Sequence, residues 1–116
     1  MPTWIAASKI PKRNYYPAWV ENTSFDGALS AFGARAFKTH LVNGVERSFC
    51  LSLSSGRCAI LSCHESFPQS VQFNLEINGS GERSIGWVYA ADMEEILLPL
   101  GIRFRAPTQR TEPQWR

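Results

Sequence analysis

Several features that mark a secreted or membrane protein are missing from this sequence. The cysteines number three, an odd count that does not fit a framework of disulfide bonds. Hydrophobic runs are short, and none approaches the length needed to cross a bilayer. Residues 1–9 do not place a basic segment before an apolar one, as a signal peptide does. We therefore expect a protein of the reducing cytoplasm that has no membrane as a partner.

Motifs for catalysis and cofactor binding are missing as well. The sequence holds no glycine-rich phosphate loop, no dinucleotide-binding fingerprint and no serine nucleophile elbow. Cys58, Cys63 and His64 do not have the paired short spacing of zinc ligands. Cys63 and His64 are neighbours in a predicted strand, where adjacent side chains point to opposite faces and do not exchange a proton. The sequence therefore predicts no metal and no cofactor, and it gives no support for an enzyme.

Neither sign of charge is in large excess, and the rest of the composition is ordinary. A net charge of +2 is too small to require a polyanionic partner. With 44% hydrophobic and 19% charged residues, the 116-residue chain is typical of a globular domain with its own core. Few apolar residues follow residue 105, and Pro107 and Pro113 interrupt that segment. We predict a single domain over residues 1–105 and a flexible tail over residues 106–116.

The centre of the chain has the pattern of an antiparallel β-meander. Over residues 71–77 apolar and polar residues alternate without a break, as in a strand with one buried face. The dipeptide Asn43-Gly44 is a strong hairpin signal, because both central residues of a type I′ turn need positive φ. Together these signals predict about five strands, over residues 37–42, 45–53, 58–65, 71–77 and 85–89.

One helix is predicted before this meander and one after it. Apolar residues recur at helical spacing over residues 24–33 and again over residues 92–98, where Pro99 should end the second helix. Several prolines and aromatic residues over residues 1–22 indicate an ordered but irregular basic and aromatic arm that lies over the body of the domain. The predicted fold class is therefore α+β.

The predicted turns also fix which side chains face each other. The hairpin places His40 opposite Arg47, and the next turn places Arg47 opposite His64. These residues would form a basic row across three strands. On the opposite face Glu46 and Glu65 would lie against each other at a solvated rim.

The same register predicts a sheet with two partly apolar faces. A loop over residues 54–57 puts Phe49 and Leu51 on the face opposite to Leu61. A sheet with two apolar faces needs a cover on each side. We expect the helices to cover one face and the N-terminal arm to cover the other, unless part of the second face stays exposed and binds a partner.

The first functional hypothesis is a non-enzymatic protein-binding domain. A small inhibitor of another protein, such as a bacterial immunity-type neutraliser, fits the size of the chain, and self-association is another form of this hypothesis. Large aromatic and apolar anchors dominate the energetics of protein interfaces. The contact residues predicted on this ground are Tyr15, Tyr16, Phe49, Leu51 and Trp87.

Two alternatives remain open at this point. The N-terminal arm interleaves basic and aromatic residues, which suits single-stranded nucleic acid because aromatic rings stack on bases while cations neutralise phosphates. The second alternative is a small enzyme or a ligand carrier with a pocket near the two histidines. The residues predicted for nucleic-acid or anion binding are Lys9, Lys12, Arg13, His40, Arg47, His64, Arg103 and Arg105.

Overall fold

The computed structural model of the chain describes residues 2–76 and 89–104. Within these residues, six strands form one antiparallel sheet, with one early and one late α-helix. The predicted α+β class is confirmed. The elements are β1 (Thr3–Ile5), β2 (Tyr15–Glu21), α1 (Phe25–Phe32), β3 (Phe37–Leu41), β4 (Gly44–Ser52), β5 (Cys58–His64), β6 (Val71–Glu76) and α2 (Ala90–Leu97), with short 3₁₀ turns at Ala7–Lys9 and Leu98–Leu100.

The long strand β4 organises the sheet. On one side β4 pairs with β5, β5 pairs with β6, and β6 pairs with β2. On the other side two short strands share the length of β4, because β3 pairs with residues 44–48 and β1 with residues 50–52. The strands β3 to β6 follow one another as a meander. The predicted strand at residues 85–89 and the predicted tail lie outside the described residues, except for Tyr89 in the turn before α2.

One face of the sheet carries the hydrophobic core. Odd-numbered residues of β4, β5 and β6 point to this face, since the pairing brings Phe49 opposite Leu61 and Leu61 opposite Phe73. Both helices cover this face, and the Phe25 ring of α1 lies 5.4 Å from the Phe49 ring, measured between centroids. The fully buried core side chains include Phe25, Phe49, Leu51, Leu61, Val71, Phe73, Leu75, Met93, Ile96 and Leu97.

The prediction of two apolar faces is wrong. It separated Phe49 and Leu51 from Leu61, whereas all three point into the same core. The cause is the loop between β4 and β5, which covers residues 53–57 and is one residue longer than the predicted loop at residues 54–57. One added residue reverses every facing between the two strands, because side chains alternate with a period of two.

The predicted basic row is wrong for the same reason. Arg47 points to the core side of the sheet, whereas His64 points to the other side, where it lies opposite Glu46 instead of Arg47. His40 does not face Arg47 either, because the β3–β4 hairpin turns one residue earlier than predicted. The three basic residues therefore do not form a common surface.

The N-terminal arm joins the sheet at both edges. β1 lies at the edge beside β4, and β2 forms the opposite edge beside β6. Residues 6–14 therefore pass from one edge of the sheet to the other. A bulge interrupts β2 between Pro17 and Trp19. An edge strand tolerates Pro17, because proline has no N–H to donate to a second neighbour. The arm is thus more regular than predicted, and its two strands extend the sheet instead of lying over it.

Local signals set the ends of both helices. Ser24 caps α1 by accepting the Gly27 N–H at 3.0 Å, and Gly33 ends the helix with a φ of 60°. α2 ends at Leu97, two residues before Pro99.

Neither helix has the length and the apolar character needed to span a membrane, and the structure describes no other α-helix in residues 2–76 and 89–104.

Candidate binding groove on the open face of the sheet

The face of the sheet that α1 and α2 leave uncovered is polar at its centre, and we call it the open face. One row of paired residues crosses it from edge to edge. Ser48, Ser62 and Gln72 lie side by side on β4, β5 and β6. Phe37 continues the row on β3 and Val20 continues it on β2. The row is therefore polar in the middle and apolar at both edges.

A groove runs along the open face. It consists of two adjoining cavities of about 400 and about 290 Å³ that share Glu46, Ser62 and Gln72, which we call the waist. The larger cavity is also lined by Val20, Leu41, Asn43, Cys63, His64, Phe67 and Ser70. The smaller cavity is also lined by Tyr15, Phe37, Thr39, Ser48, Ile60 and Asn74.

Hydrogen bonds fix the polar floor of the groove. The Ser48 hydroxyl donates to Ser62 Oγ at 3.0 Å. Asn74 Nδ2 donates to the Ile60 carbonyl oxygen at 3.1 Å, and Asn74 Oδ1 accepts from Gln72 Nε2 at 2.9 Å. Gln72 Nε2 keeps a second hydrogen, and Gln72 Oε1 accepts no hydrogen bond from the described residues. The floor thus holds the partly exposed Gln72 and Asn74 in fixed positions, whereas Ser48 and Ser62 are buried.

Exposed apolar side chains surround the larger cavity. Val20, Leu41 and Phe67 line it with 62%, 40% and 64% of their surface exposed, and we call them the apolar rim. Val42, the neighbour of Leu41 in the hairpin turn, is fully exposed. Among the described residues, Leu98 is the one large apolar side chain of similar exposure elsewhere. Isolated exposed apolar residues are ordinary, whereas a group around one cavity marks an interaction site.

His64 holds the two loops that border the larger cavity. Its Nδ1 accepts the Ser66 N–H at 3.0 Å, which leaves Nε2 as the ring nitrogen that donates. Its Nε2 therefore donates to the Asn43 carbonyl oxygen at 2.9 Å. The Phe67 ring packs on the imidazole, with 5.8 Å between the ring centroids. One side chain thus positions both the hairpin turn and a member of the apolar rim.

The N-terminal arm borders the opposite end of the groove. The buried Glu76 carboxylate accepts from Arg13 Nη1 at 2.7 Å and from the Cys58 backbone N–H at 2.9 Å. The Tyr15 hydroxyl donates to the Pro11 carbonyl oxygen at 3.0 Å. These bonds fasten the arm to the sheet where Tyr15 lines the smaller cavity.

Burial at this end raises the pKa of three acidic groups. Burial, reinforced by the neighbouring Cys58 thiol, raises the pKa of Cys50 to about 12. Burial, reinforced by the Cys50 thiol, also raises the pKa of Tyr15 to about 12. The pKa of Cys58 is raised by burial and then by the Glu76 carboxylate. These thiols keep their protons at neutral pH, which makes them poor nucleophiles and poor metal ligands.

We expect the free energy of unfolding to fall as the pH rises from about 9 to about 12. A cysteine thiol ordinarily has a pKa of 9.0 and a tyrosine hydroxyl one of 10.0, whereas in the folded protein the pKa of Cys50 and that of Tyr15 are about 12. Within this window the unfolded chain binds fewer protons than the folded protein, so stability decreases with pH. Urea unfolding at a series of alkaline pH values measures the decrease. The variant Cys50→Ala/Tyr15→Phe should lose stability less steeply, and an unchanged slope would contradict this assignment.

The predicted protein contacts are divided between the two sides of the sheet. Phe49 and Leu51 are completely buried beneath the helices. Tyr16 packs against the core, whereas Tyr15 on the neighbouring position lines the groove. Trp87 lies outside the described residues. Of this group, Tyr15 belongs to the groove.

The residues predicted for nucleic-acid binding include cations of the N-terminal arm and cations near residue 104. Lys9 and Lys12 are exposed on the arm, and Arg13 is paired with the buried carboxylate described above. Arg103 is exposed near the end of the described residues, and Arg105 lies outside them. Nucleic-acid binding by these cations and the aromatic residues of the arm therefore stays a prediction.

The remaining members of the predicted basic row have separate partners. Arg47 Nη2 donates to Asp26 Oδ1 at 2.8 Å, and its guanidinium carbon lies 4.8 Å from the centroid of the Phe25 ring. His40 is exposed on the edge strand β3, on the core side of the sheet. His64 lines the larger cavity on the open face. The two histidines therefore do not line a common pocket.

Sequence reasoning missed the residues of the apolar rim. Phe67 did carry a signal, because an aromatic residue between Ser66 and Pro68 in a predicted loop has few neighbours that could bury it. Val20 and Leu41 carried none. Each lies in a strand, and its side is known only once the pairing register is known.

Neither a metal site among the described residues nor a known relative indicates a function for this chain. In the part of the chain that the structure describes, no three His, Cys, Asp or Glu side chains are grouped as a metal site requires. Compared with known proteins, the chain matches no family model, no curated protein and no solved structure. The groove on the open face is therefore the candidate functional site.

Proposed function

We propose that this chain is a protein-binding domain whose groove receives a segment of another protein. The observation that carries the proposal is the apolar rim, formed by Val20, Leu41 and Phe67 around a single cavity. Apolar surface of this kind gains roughly 25 cal/mol per Å² when a partner removes it from water. A domain that keeps such side chains exposed around one cavity retains that free energy for binding.

The polar floor between the apolar walls supports the same function. Ser62 and Gln72 are held in place by hydrogen bonds and lie at the waist, where the two cavities meet. A bound peptide segment needs hydrogen-bond partners for polar groups that lose contact with water. Tyr15 and Phe37 add aromatic surface along the smaller cavity. Aromatic side chains of this kind are enriched in protein interfaces.

An inhibitor or immunity-type neutraliser is the form of this function that we propose. Such a protein blocks its partner by occupying a surface, for which it needs a rigid complementary shape. His64 uses both ring nitrogens to hold the loops around the larger cavity, and the buried thiols Cys50 and Cys58 keep their protons. These groups therefore contribute to the shape of the groove more than to chemistry within it.

The double variant Leu41→Ser/Phe67→Ser tests this proposal. We expect it to lose the protein that the wild-type chain captures from an extract of its source organism, identified by mass spectrometry. Two anchors of an interface that contribute at least about 1 kcal/mol each lower the affinity at least about tenfold. Titration calorimetry with the purified partner measures this loss. The matched control is Leu98→Ser, which removes a similarly exposed apolar side chain away from the groove and should bind normally.

The other outcomes identify the alternatives. A partner that binds both variants equally would show that the groove is not the binding site. A captured nucleic acid whose affinity falls steeply with added salt would instead support binding through the basic arm. Capture of the same chain would replace a foreign partner with self-association, which sedimentation at several concentrations would then quantify.

A further inference from the structure

The waist of the groove presents hydrogen-bond acceptors to its occupant. Gln72 gives one of its two Nε2 hydrogens to Asn74, while its carbonyl oxygen Oε1 accepts no hydrogen bond from the described residues and can accept one from a ligand. Glu46 adds a carboxylate, and no Lys or Arg of residues 2–76 and 89–104 forms an ion pair with it. His64, opposite Glu46 in the register, directs both of its ring nitrogens to backbone groups, Nδ1 to the Ser66 N–H and Nε2 to the Asn43 carbonyl oxygen.

The rest of the groove does not offset this negative character. Neither cavity is lined by a Lys or an Arg among the described residues, and Glu46 is the one carboxylate in either lining. The Ser48 hydroxyl is committed to Ser62. A phosphate or a carboxylate would meet like charge here, whereas a cation would find a carboxylate and an amide oxygen.

We infer that the segment bound in the groove places a lysine or an arginine at the waist, with apolar residues on the apolar rim. This inference rests on the proposed protein-binding function. The cation satisfies Glu46 and Gln72 Oε1 together, and the flanking apolar side chains of the partner cover Leu41 and Phe67. The chemistry of the partner is thus a basic residue within an apolar stretch of an extended segment.

A random linear peptide library displayed on phage and selected on the full chain tests this inference. We expect the selected peptides to be enriched in Lys or Arg next to apolar residues. Binding of a selected peptide, measured by fluorescence anisotropy, should weaken about tenfold in Glu46→Gln, because a charge-assisted hydrogen bond is lost. The matched control Glu94→Gln changes an exposed glutamate of α2 and should bind as the wild type does. Selection on Glu46→Lys should enrich Asp or Glu instead.

This experiment distinguishes failure of the inferred lysine or arginine from failure of the proposed protein-binding function. Selected peptides without enrichment of Lys or Arg, or with equal affinity for Glu46→Gln, would overturn the inference. If those peptides still required Leu41 and Phe67, the groove would remain a protein-binding site. Peptides that bind Leu41→Ser/Phe67→Ser as well as the wild type, or a library that yields no binder dependent on the rim, would overturn both. Circular dichroism of each variant establishes that it is folded.

Discussion

Replacing Arg57 by alanine is expected to lower the free energy of unfolding by about 3 kcal/mol. Arg57 Nε donates to Asp92 Oδ2 at 2.7 Å, and the Asp92 side chain is only 2% exposed. The second partner of this carboxylate is the Ser55 hydroxyl, which donates at 2.6 Å. Without Arg57, a buried negative charge would keep a single neutral donor. The change also removes one of several hydrogen bonds between the β4–β5 loop and α2.

A second arginine in the same chain provides a matched control. Arg47 pairs with Asp26 at 2.8 Å, and each guanidinium carbon lies 4.8 Å from the centroid of an aromatic ring, Phe25 for Arg47 and Tyr89 for Arg57. The pairs differ chiefly in the burial of the acid, since the Asp26 side chain is 67% exposed. Water therefore solvates Asp26 when its partner is removed. Arg47→Ala should cost about 1 kcal/mol or less.

Urea denaturation of the wild type, Arg57→Ala and Arg47→Ala, followed by tryptophan fluorescence, measures both costs. A difference of about 2 kcal/mol between the variants is the expected result. Equal costs would mean that burial of the acid does not decide the strength of these pairs. Asp92→Asn adds a check, because it removes the buried charge and should make a later loss of Arg57 less costly.

Gly44→Ala is expected to lower the free energy of unfolding by about 3 kcal/mol, about as much as Arg57→Ala. Gly44 has a φ of +136°, which side chains of L-residues rarely adopt. A Cβ at this position would lie 2.7 Å from His64 Nε2 and 2.9 Å from His64 Cε1. The methyl group would therefore push His64 away from the Asn43 carbonyl oxygen that it holds. The damage should include the shape of the larger cavity.

Gly33→Ala separates backbone strain from the contact with His64. Gly33 also has positive φ, +60°, but a Cβ there meets no atom within 4 Å. Its replacement should cost about 1 kcal/mol. In thermal unfolding, Gly44→Ala should be clearly less stable than Gly33→Ala, and His64→Ala should remove part of the difference when combined with Gly44→Ala. Gly44→Ala as mild as Gly33→Ala would argue against the contact.

Local patterns in the sequence were sufficient to predict most elements of the fold. The alternation over residues 71–77 predicted β6 within one residue, and the capping residues before residue 25 predicted the start of α1. These signals are short-range, because periodicity and capping depend on residues within a few positions of each other.

The face of the sheet to which each side chain points could not be predicted from such local patterns. The β4–β5 loop includes Leu53, an apolar residue that the pattern assigned to a strand and that is buried in the core. Its N–H donates to the Arg57 carbonyl oxygen at 2.9 Å, and Gly56 turns the chain with a φ of +93°. The loop is further held by Arg57 on Asp92. Because tertiary contacts contribute to the loop length, the sequence of the hairpin alone did not determine the register.

The candidate site depended on that register more than the fold did. Glu46 was predicted at a solvated rim opposite Glu65, whereas it lies at the waist of the groove opposite His64. The apolar rim joins β2, β3 and the loop after β5, three segments that are distant in sequence. Of the predicted contacts, Tyr15 lines the groove, because it lies in the edge strand that borders the smaller cavity.

The placement of β1 and β2 at opposite edges has a consequence for synthesis on the ribosome. The start of the chain emerges first, yet β1 pairs with residues 50–52 and β2 with residues 71–76. Until residues 71–76 have been synthesised, β2 has no strand to pair with, and its aromatic residues remain outside the sheet. Contacts that span so much sequence form slowly. We therefore expect the two edges to close late in folding, so that the groove acquires its Tyr15 wall after its floor.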